Sequence, residues 1–198
     1  SIIKSAKKII EYMENSPYDF IKNHTDSDLK TINESIHRTF NLIDLNYFIK
    51  SLKNIYNEYE GIEEILSNKN NGSNLQERIS TFKNIFFSLN CPKRSLKHLP
   101  SPIKGSSAKR FNMYLRWMVR SNNNGVDFGI WNKISSSELS IPLDVHTGRI
   151  ARSLGLLERK VNDSKSVTEI DNKLRKMDPI DPVKYDYALF GLGVYENF

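Results

Sequence analysis

Residues 104–120 decide the fold of this chain: Lys104-Gly-Ser-Ser-Ala-Lys-Arg-Phe-Asn-Met-Tyr-Leu-Arg-Trp-Met-Val-Arg120. A turn of small residues leads into a run with the apolar period of an α-helix, which predicts a helix from about Ala108 to Arg120. Its apolar side is formed by Phe111, Tyr114, Leu115 and Met118. Lys109, Arg116 and Arg120 fall on the opposite side at about 100° per residue, so we predict a buried face and an exposed cationic stripe.

An acid-free window surrounds this helix. From Arg78 to Val126 the sequence has no Asp or Glu and ten Lys and Arg, although the whole chain has 29 basic and 23 acidic residues. The positive charge is therefore concentrated in this window, and the remainder is net acidic. The pattern is typical of a polyanion binder, with a phosphate backbone as the leading candidate. A solvated basic surface and an acidic protein partner are the alternatives.

The rest of the sequence favours an all-α fold. Helical periodicity recurs along the 198 residues, and no convincing strand alternation exceeds about four residues. No apolar run approaches the roughly 20 residues of a membrane-spanning helix, so we expect no membrane partner. The single Cys91 excludes a disulfide, a zinc site of paired cysteines and an iron–sulfur cluster within the chain. We therefore expect an intracellular protein without a metal or cofactor.

Local signals predict where several helices begin. Asp44 is expected to cap one helix, and Ser166 with Glu169 forms a capping-box pattern for another. A short helix is expected near Phe128 to Trp131. The chain opens at Ser1 directly in a helical pattern, and we expect a preceding segment to be missing.

A second informative segment reads Ile141-Pro-Leu-Asp-Val-His-Thr-Gly-Arg149. Asp144 precedes a helical pattern, so its carboxylate is suited to cap the helix by accepting a backbone N–H. His146 alone is more often a structural residue than a catalyst. Taken alone, this segment favours a structural role.

Together the segments resemble the helix-hairpin-helix DNA glycosylase superfamily, the endonuclease III-like proteins. Gly105–Lys109 is similar to the hairpin Leu-Pro-Gly-x-Gly-x-Lys, and Lys109–Leu115 to the helix Lys-x-x-Asn-x-x-Leu. Leu143–Ile150 resembles Val-Asp-x-His-x-x-Arg-Val, and Ala188–Gly193 resembles Ala-Leu-x-x-Leu-Gly. The closest resemblance is to an uncharacterised bacterial branch, and it extends to Ser16–Ile21.

The resemblance implies a two-lobed helical unit over residues 1–198, with the active site in the cleft between the lobes. Residues of about 1–72 would form one lobe with the C-terminal helices, and residues of about 73–160 would form the lobe with the hairpin. The second hairpin glycine is replaced by Ser107. The spacing from Lys109 to Asp144 is longer than in endonuclease III-like proteins, and the four-cysteine cluster loop of several relatives is absent.

The resemblance also implies an activity and a substrate. Lys109 would attack the anomeric carbon of a flipped-out nucleotide, and Asp144 would stabilise the cationic sugar. The expected function is a DNA repair glycosylase with AP lyase activity on a damaged, for example oxidised, base in double-stranded DNA. A non-catalytic helix-hairpin-helix nucleic-acid-binding protein is the alternative. We expect a cytoplasmic, nucleoid-associated monomer.

Two further groups of site residues are predicted. The expected DNA-binding residues are Lys104, Gly105, Ser106, Ser107, Arg110, Arg116, Arg120, His146 and Arg149. The candidates for a base pocket, each of which is equally suited to core packing, are Asn112, Trp117, Phe128, Trp131 and Tyr185.

Overall fold

A computed structural model describes residues 2–30, 36–37, 39–122 and 125–196. Within these residues the fold is all-α, as predicted, with isolated β-bridges and no strand. The described α-helices are α1 (Ile2–Tyr12), α2 (Pro17–Asn23), α3 (Leu42–Glu58), α4 (Ile62–Ser67), α5 (Leu75–Phe86), α6 (Lys109–Val119), α7 (Val145–Ser153), α8 (Ser164–Met177) and α9 (Asp186–Tyr195). None of them combines the length and apolarity needed to cross a membrane.

The chain divides into two compact units. The first comprises Ser1–Ile62 and Asn84–His98, and the second comprises Glu63–Lys83 and Leu99–Phe198. The C-terminal helices therefore belong to the same unit as residues 105–109, whereas the predicted lobes grouped them with residues 1–72. The core of the first unit is formed by Met13, Ile21, Leu29, Ile36, Leu45 and Ile49.

The cap of α3 differs from the prediction. Asn41, not Asp44, is the N-cap, and the two side chains exchange bonds with each other's backbone N–H in a capping box. The Asp44 carboxylate is fully buried and also accepts the Ser95 hydroxyl at 2.7 Å. Burial acts to raise the pKa of Asp44, but the bonds from Ser95 and from the Asn41 N–H outweigh it and lower the pKa. Asp44 thus fixes the start of α3 from its third position.

The start of α8 and the segment after α6 also differ from the prediction. Asp163 caps α8 by accepting the N–H of Ser166, so that helix begins before Ser166. Phe128 is extended instead of helical, because its N–H bonds to the Trp117 carbonyl at 2.7 Å. Pairing with the end of α6 therefore replaces the short helix expected at Phe128 to Trp131.

The second unit has its own apolar core, in which α7 packs closely against α9. The core residues are Ile141, Leu143, Ile150, Ala151, Leu157, Val167, Ile170, Leu174 and Leu189. At Gly193 a Cβ would lie 3.1 Å from the His146 Cβ and 3.1 Å from the Ile150 Cγ1. The absence of a side chain at Gly193 thus permits the close approach of the two helices.

We expect Gly193→Ala to lower the free energy of unfolding by about 1–2 kcal/mol, because the added methyl group overpacks the contact with α7. Gly191→Ala is the matched control, since a Cβ at Gly191 meets nothing within 4 Å. Alanine there should stabilise α9 by up to about 1 kcal/mol through its helix propensity. Urea unfolding of both variants measures the difference, and equal effects would contradict the packing argument.

A second prediction concerns the buried Asp171 of α8, which accepts the Ile141 N–H at 3.0 Å. Burial raises the pKa of Asp171 from 3.8 to about 6. Folding therefore favours the protonated carboxyl, and this residue's contribution to stability falls as the pH rises from about 4 through 6. Asp171→Asn should remove that fall. Between pH 4 and pH 7 its free energy of unfolding should therefore rise by ~3 kcal/mol relative to that of the native protein.

Urea unfolding at pH 4 and pH 7 tests this prediction. Asp178→Asn is the control, because Asp178 ends the same helix and its pKa is lowered to about 2 by the Lys184 side chain. The change in the free energy of unfolding caused by Asp178→Asn should be nearly the same at both pH values. A pH-independent difference for Asp171→Asn would contradict the prediction.

Candidate active site

Lys109 and Asp144 face each other across the starts of two helices. Lys109 is the first residue of α6, and Asp144 is the N-cap of α7. The Lys109 Nζ lies 3.0 Å from the Asp144 Oδ2. Residues 35 positions apart in the sequence thus form an ion pair.

Asp144 uses its two oxygens for different contacts. Oδ1 accepts the Thr147 N–H at 2.7 Å and caps α7, whereas Oδ2 faces Lys109. Burial by itself would raise the pKa of Asp144, but the Thr147 N–H and the Lys109 ammonium outweigh it and lower the pKa. The capping role and the pairing with lysine therefore coexist, and both keep the carboxylate ionised.

The turn before α6 sets the position of Lys109. Gly105 has a φ of 94° and ends a 3₁₀ turn, Pro102–Lys104, and its carbonyl accepts the Ser164 N–H at 3.1 Å. Ala108 adopts a left-handed conformation with a φ of 49° just before the helix. Asn112 donates to the Ser107 carbonyl at 3.1 Å. The backbone of the turn is thus anchored to α6 and to the start of α8.

The predicted DNA-binding residues of this turn lie at different depths. Lys104, Gly105 and Arg110 are exposed, whereas Ser106 and Ser107 are half-buried. Ser106 uses its hydroxyl to accept the Ala108 N–H at 3.2 Å. The exposed part of the turn therefore offers two cations and the Gly105 backbone to solvent.

The predicted exposed stripe is wrong at Arg116, whose side chain is only 4% exposed. Its Nε lies 3.2 Å from the Asp127 Oδ1, and its Nη1 donates to the Asp186 Oδ2. Its guanidinium also stacks on Tyr187, 4.4 Å from the ring centroid. These contacts bury the Arg116 guanidinium, so this cation is not part of an exposed stripe that could bind a phosphate backbone.

Arg120 is covered in the same way, with its side chain 11% exposed. Its Nε and Nη2 bind Asp181 at 2.9 and 2.7 Å, and its Nη1 donates to Asp127. Arg120 lies on the same side of α6 as Lys109, but Asp127 and Asp181, which come later in the sequence, cover it. Of the predicted stripe, only Lys109 remains substantially exposed.

A cavity of about 570 Å³ opens beside the Lys109–Asp144 pair. Four of its lining residues are aromatic: Trp117, Tyr187, Phe190 and Tyr195. Met113, Val126 and Pro142 add apolar surface, and Arg116 and Asp186 contribute buried charges to its wall. The cavity thus combines an apolar interior with a lysine and carboxylates, as small-molecule sites do.

Of the residues predicted for a base pocket, Trp117 lines this cavity and the other four do not. Asn112 is buried and accepts the Gln76 amide at 2.9 Å. Trp131 packs edge-on against Tyr114, and Tyr185 packs against the apolar core. Phe128 is largely exposed.

His146 and Arg149 lie on the exposed side of α7. The His146 ring packs edge-on against Phe190, and Arg149 donates to the Gly193 carbonyl at 2.8 Å. Both side chains therefore contact α9 while their residues remain accessible to solvent.

A family model described as Protein of unknown function (DUF2400) matches residues 1–195. The chain belongs to the DUF2400 family. Neither a curated protein nor a solved structure matches it significantly. The matched region of this DUF2400 protein contains the turn before α6, Lys109, Asp144 and every residue that lines the cavity.

Sequence reasoning missed Asp186, which lines the cavity of the DUF2400 protein with its side chain 5% exposed. Burial raises the pKa of Asp186 to about 6; Arg116 opposes this rise, and Asp144 adds to it. Asp186 gives no functional signal in the sequence, because acids are common at the first residue of a helix, where they interact favourably with the helix dipole. Helix α9 is also apolar on all sides, so its periodicity does not indicate which residues face a cavity.

Within the described residues, no cluster of three or more His, Cys, Asp or Glu side chains is arranged to hold a metal ion. The absence of a metal or other cofactor stays a prediction from the sequence.

Proposed function

We propose that this DUF2400 protein is a DNA glycosylase with AP lyase activity and the two-lobed architecture of the helix-hairpin-helix superfamily. The observation that carries the proposal is the Lys109 Nζ, 3.0 Å from the Asp144 Oδ2, at the opening of a cavity with aromatic walls. The proposed partner is double-stranded DNA with a damaged base, bound by one copy of the protein at the nucleoid.

The two side chains suit the two halves of the reaction. As the bond between the sugar C1′ and the base breaks, its electron pair leaves with the base and the sugar becomes cationic. The ionised Asp144 stabilises this cation, as a carboxylate does in glycoside hydrolysis. Lys109, once its ammonium has lost a proton, attacks C1′ and forms a covalent bond through Nζ.

The covalent bond leads to strand cleavage. Opening of the sugar ring gives a protonated Schiff base between Nζ and C1′, and loss of a proton from C2′ expels the 3′ phosphate. Attack by water at C1′ in place of lysine forms no Schiff base, so it gives base release without strand cleavage. Lys109 thus distinguishes a glycosylase with lyase activity from one without.

The cavity suits an extruded base. Enzymes that act on a base in a duplex flip it into a pocket and hold it between aromatic and apolar side chains. A volume of about 570 Å³ lies within the usual range for small-ligand pockets. Trp117, Tyr187 and Phe190 offer such stacking surfaces beside the lysine.

We expect DNA binding to depend on salt, because exposed cations lie in the turn before α6, on α6 and on α7. If Lys104, Lys109, Arg110 and Arg149 each contact a phosphate, log Kobs should fall with log[salt] with a slope of about −4. Arg110→Gln should make the slope less steep by about 1. Fluorescence anisotropy with a duplex at several salt concentrations measures both slopes.

The control for this prediction is Lys176→Gln, which removes an exposed charge at the opposite end of α8 from the hairpin contact. Its slope should equal that of the native protein. A native slope near zero would exclude a phosphate interface.

Borohydride trapping tests the proposed chemistry. The protein is incubated with duplexes that contain an abasic site, 8-oxoguanine, oxidised pyrimidines or alkylated bases, and the Schiff base is reduced to a stable cross-link. We expect a cross-link to the abasic duplex and to at least one damaged duplex. Binding without any cross-link or base release would instead support the non-catalytic nucleic-acid-binding protein.

A further inference from the structure

Asp186 is a second carboxyl group in the cavity, distinct from the Lys109–Asp144 pair. It is the first residue of α9, and its Oδ2 accepts a hydrogen bond from the Arg116 Nη1. Among the described residues no hydrogen bond to its Oδ1 occurs, and the residue lines the cavity. One oxygen is thus held by Arg116 while the other is available to a ligand.

The charged groups around Asp186 come from several elements. Arg116 of α6 and Asp144 at the start of α7 line the same cavity, as does Lys109. Asp127 contacts the other side of Arg116. Burial raises the pKa of Asp186 to about 6, Arg116 limits the rise, and the charges of Asp144 and Asp127 add to it. Asp186 therefore exchanges a proton near neutral pH, whereas Asp144, with its lowered pKa, stays ionised.

Lys109, Asp144 and Asp186 lie at different depths, which suits them to different roles. Lys109 is 46% exposed, Asp144 is 10% exposed and Asp186 is 5% exposed. A nucleotide that enters from solvent has its sugar linked to the DNA backbone at the opening and its base further inside. Lys109 and Asp144 are therefore suited to the sugar, and Asp186 is suited to the base.

We infer that Asp186 is the general acid that protonates the departing base, an inference that rests on the proposed glycosylase function. The C1′–N bond breaks, its electron pair goes to the base, and the base takes the proton from the Asp186 Oδ1. The resulting carboxylate is stabilised by Arg116. The proton lost from the attacking Lys109 nitrogen goes to solvent, and Asp186 takes up a proton from solvent before the next turnover, so the charges balance.

The experiment compares two steps in the same protein. Single-turnover base release is followed on the panel of damaged duplexes, and borohydride cross-linking is followed on a duplex with a preformed abasic site, from which no base departs. Asp186→Asn keeps an oxygen for Arg116 but has no carboxyl proton. We expect it to slow base release by about 10²-fold, as loss of a general acid does, and to leave the abasic cross-link unchanged.

Asp127→Asn is the matched control, because it removes the other carboxylate from Arg116 but is not part of the cavity wall. At about pH 5, where Asp186 is protonated with or without the charge of Asp127, it should leave the ratio of base release to cross-linking unchanged. The native protein can also be tested without a mutation. Above pH 6 its ratio of base release to cross-linking should fall about tenfold per pH unit, because the Asp186 carboxyl group loses its proton.

The outcomes separate the two proposals. Equal base release by Asp186→Asn and the native protein, or a pH-independent ratio, would overturn the role of Asp186 and leave the glycosylase proposal intact. Cross-linking to the abasic duplex without release of any base would also overturn it, since no base then departs. Absence of both activities would overturn the proposed function itself.

Discussion

Lys109→Gln is expected to abolish the borohydride cross-link to abasic and damaged duplexes. Glutamine keeps a polar side chain of similar length, but its amide nitrogen cannot form a Schiff base, so the covalent intermediate is lost. The native folding stability should change little, because Lys109 is 46% exposed and exposed ion pairs contribute about 1 kcal/mol or less. Denaturing gel electrophoresis of the reduced complex measures the loss.

Two control variants separate nucleophilic attack from binding. Lys104→Gln removes a charge from the exposed turn next to α6, and Lys176→Gln removes one from the far end of α8. Both should retain the cross-link, with Lys104→Gln showing weaker DNA binding, most clearly at low salt. A cross-link that persists in Lys109→Gln at the native level would show that another amine attacks the sugar, and would contradict the assignment.

Asp144→Asn is expected to lower base release by about 10²–10³-fold, the usual cost of removing a preorganised electrostatic contact from a transition state. Asn and Asp are comparable N-caps, so the bond to the Thr147 N–H and the start of α7 should be retained. The change therefore removes the negative charge that faces Lys109 without unwinding the helix. Single-turnover base release and thermal unfolding measure the two effects.

Two further variants check this separation of roles. Asp144→Ala should lose the cap as well and destabilise the protein by about 1 kcal/mol. Asp163→Asn changes the matching cap of α8, where the carboxylate accepts the Ser166 N–H at 2.9 Å and is not part of the cavity wall. It should leave base release unchanged. Full activity in Asp144→Asn would mean that Asp144 has only a capping role.

Much of the local structure could be predicted, because local signals specify it. The apolar period predicted α6 within about one residue at each end, and Asp144 was expected as the cap that it is. Capping patterns failed where two candidates compete: Asn41 precedes Asp44, and Asp163 precedes Ser166. In both cases the predicted residue lies three positions inside the helix, where its backbone or side chain completes the cap.

The pairing of Lys109 with Asp144 was accessible only through the resemblance to a family. Neither spacing nor composition places two helix starts side by side, since their contact depends on how α6, α7 and α9 pack. The same limit applies to the cavity. Its aromatic walls come mainly from α9, whose uniformly apolar sequence indicates burial but no orientation.

The sequence by itself determined most of the long helices, the concentration of positive charge and the side of α6 that carries Lys109, Arg116 and Arg120. Only the tertiary structure decided which of these cations meets solvent. Asp127, Asp181 and Asp186, which follow the acid-free window, cover Arg116 and Arg120 and leave Lys109 substantially exposed. The physical reason is that a helix fixes the direction of its own side chains, whereas their burial and charge environment depend on residues up to 70 positions away.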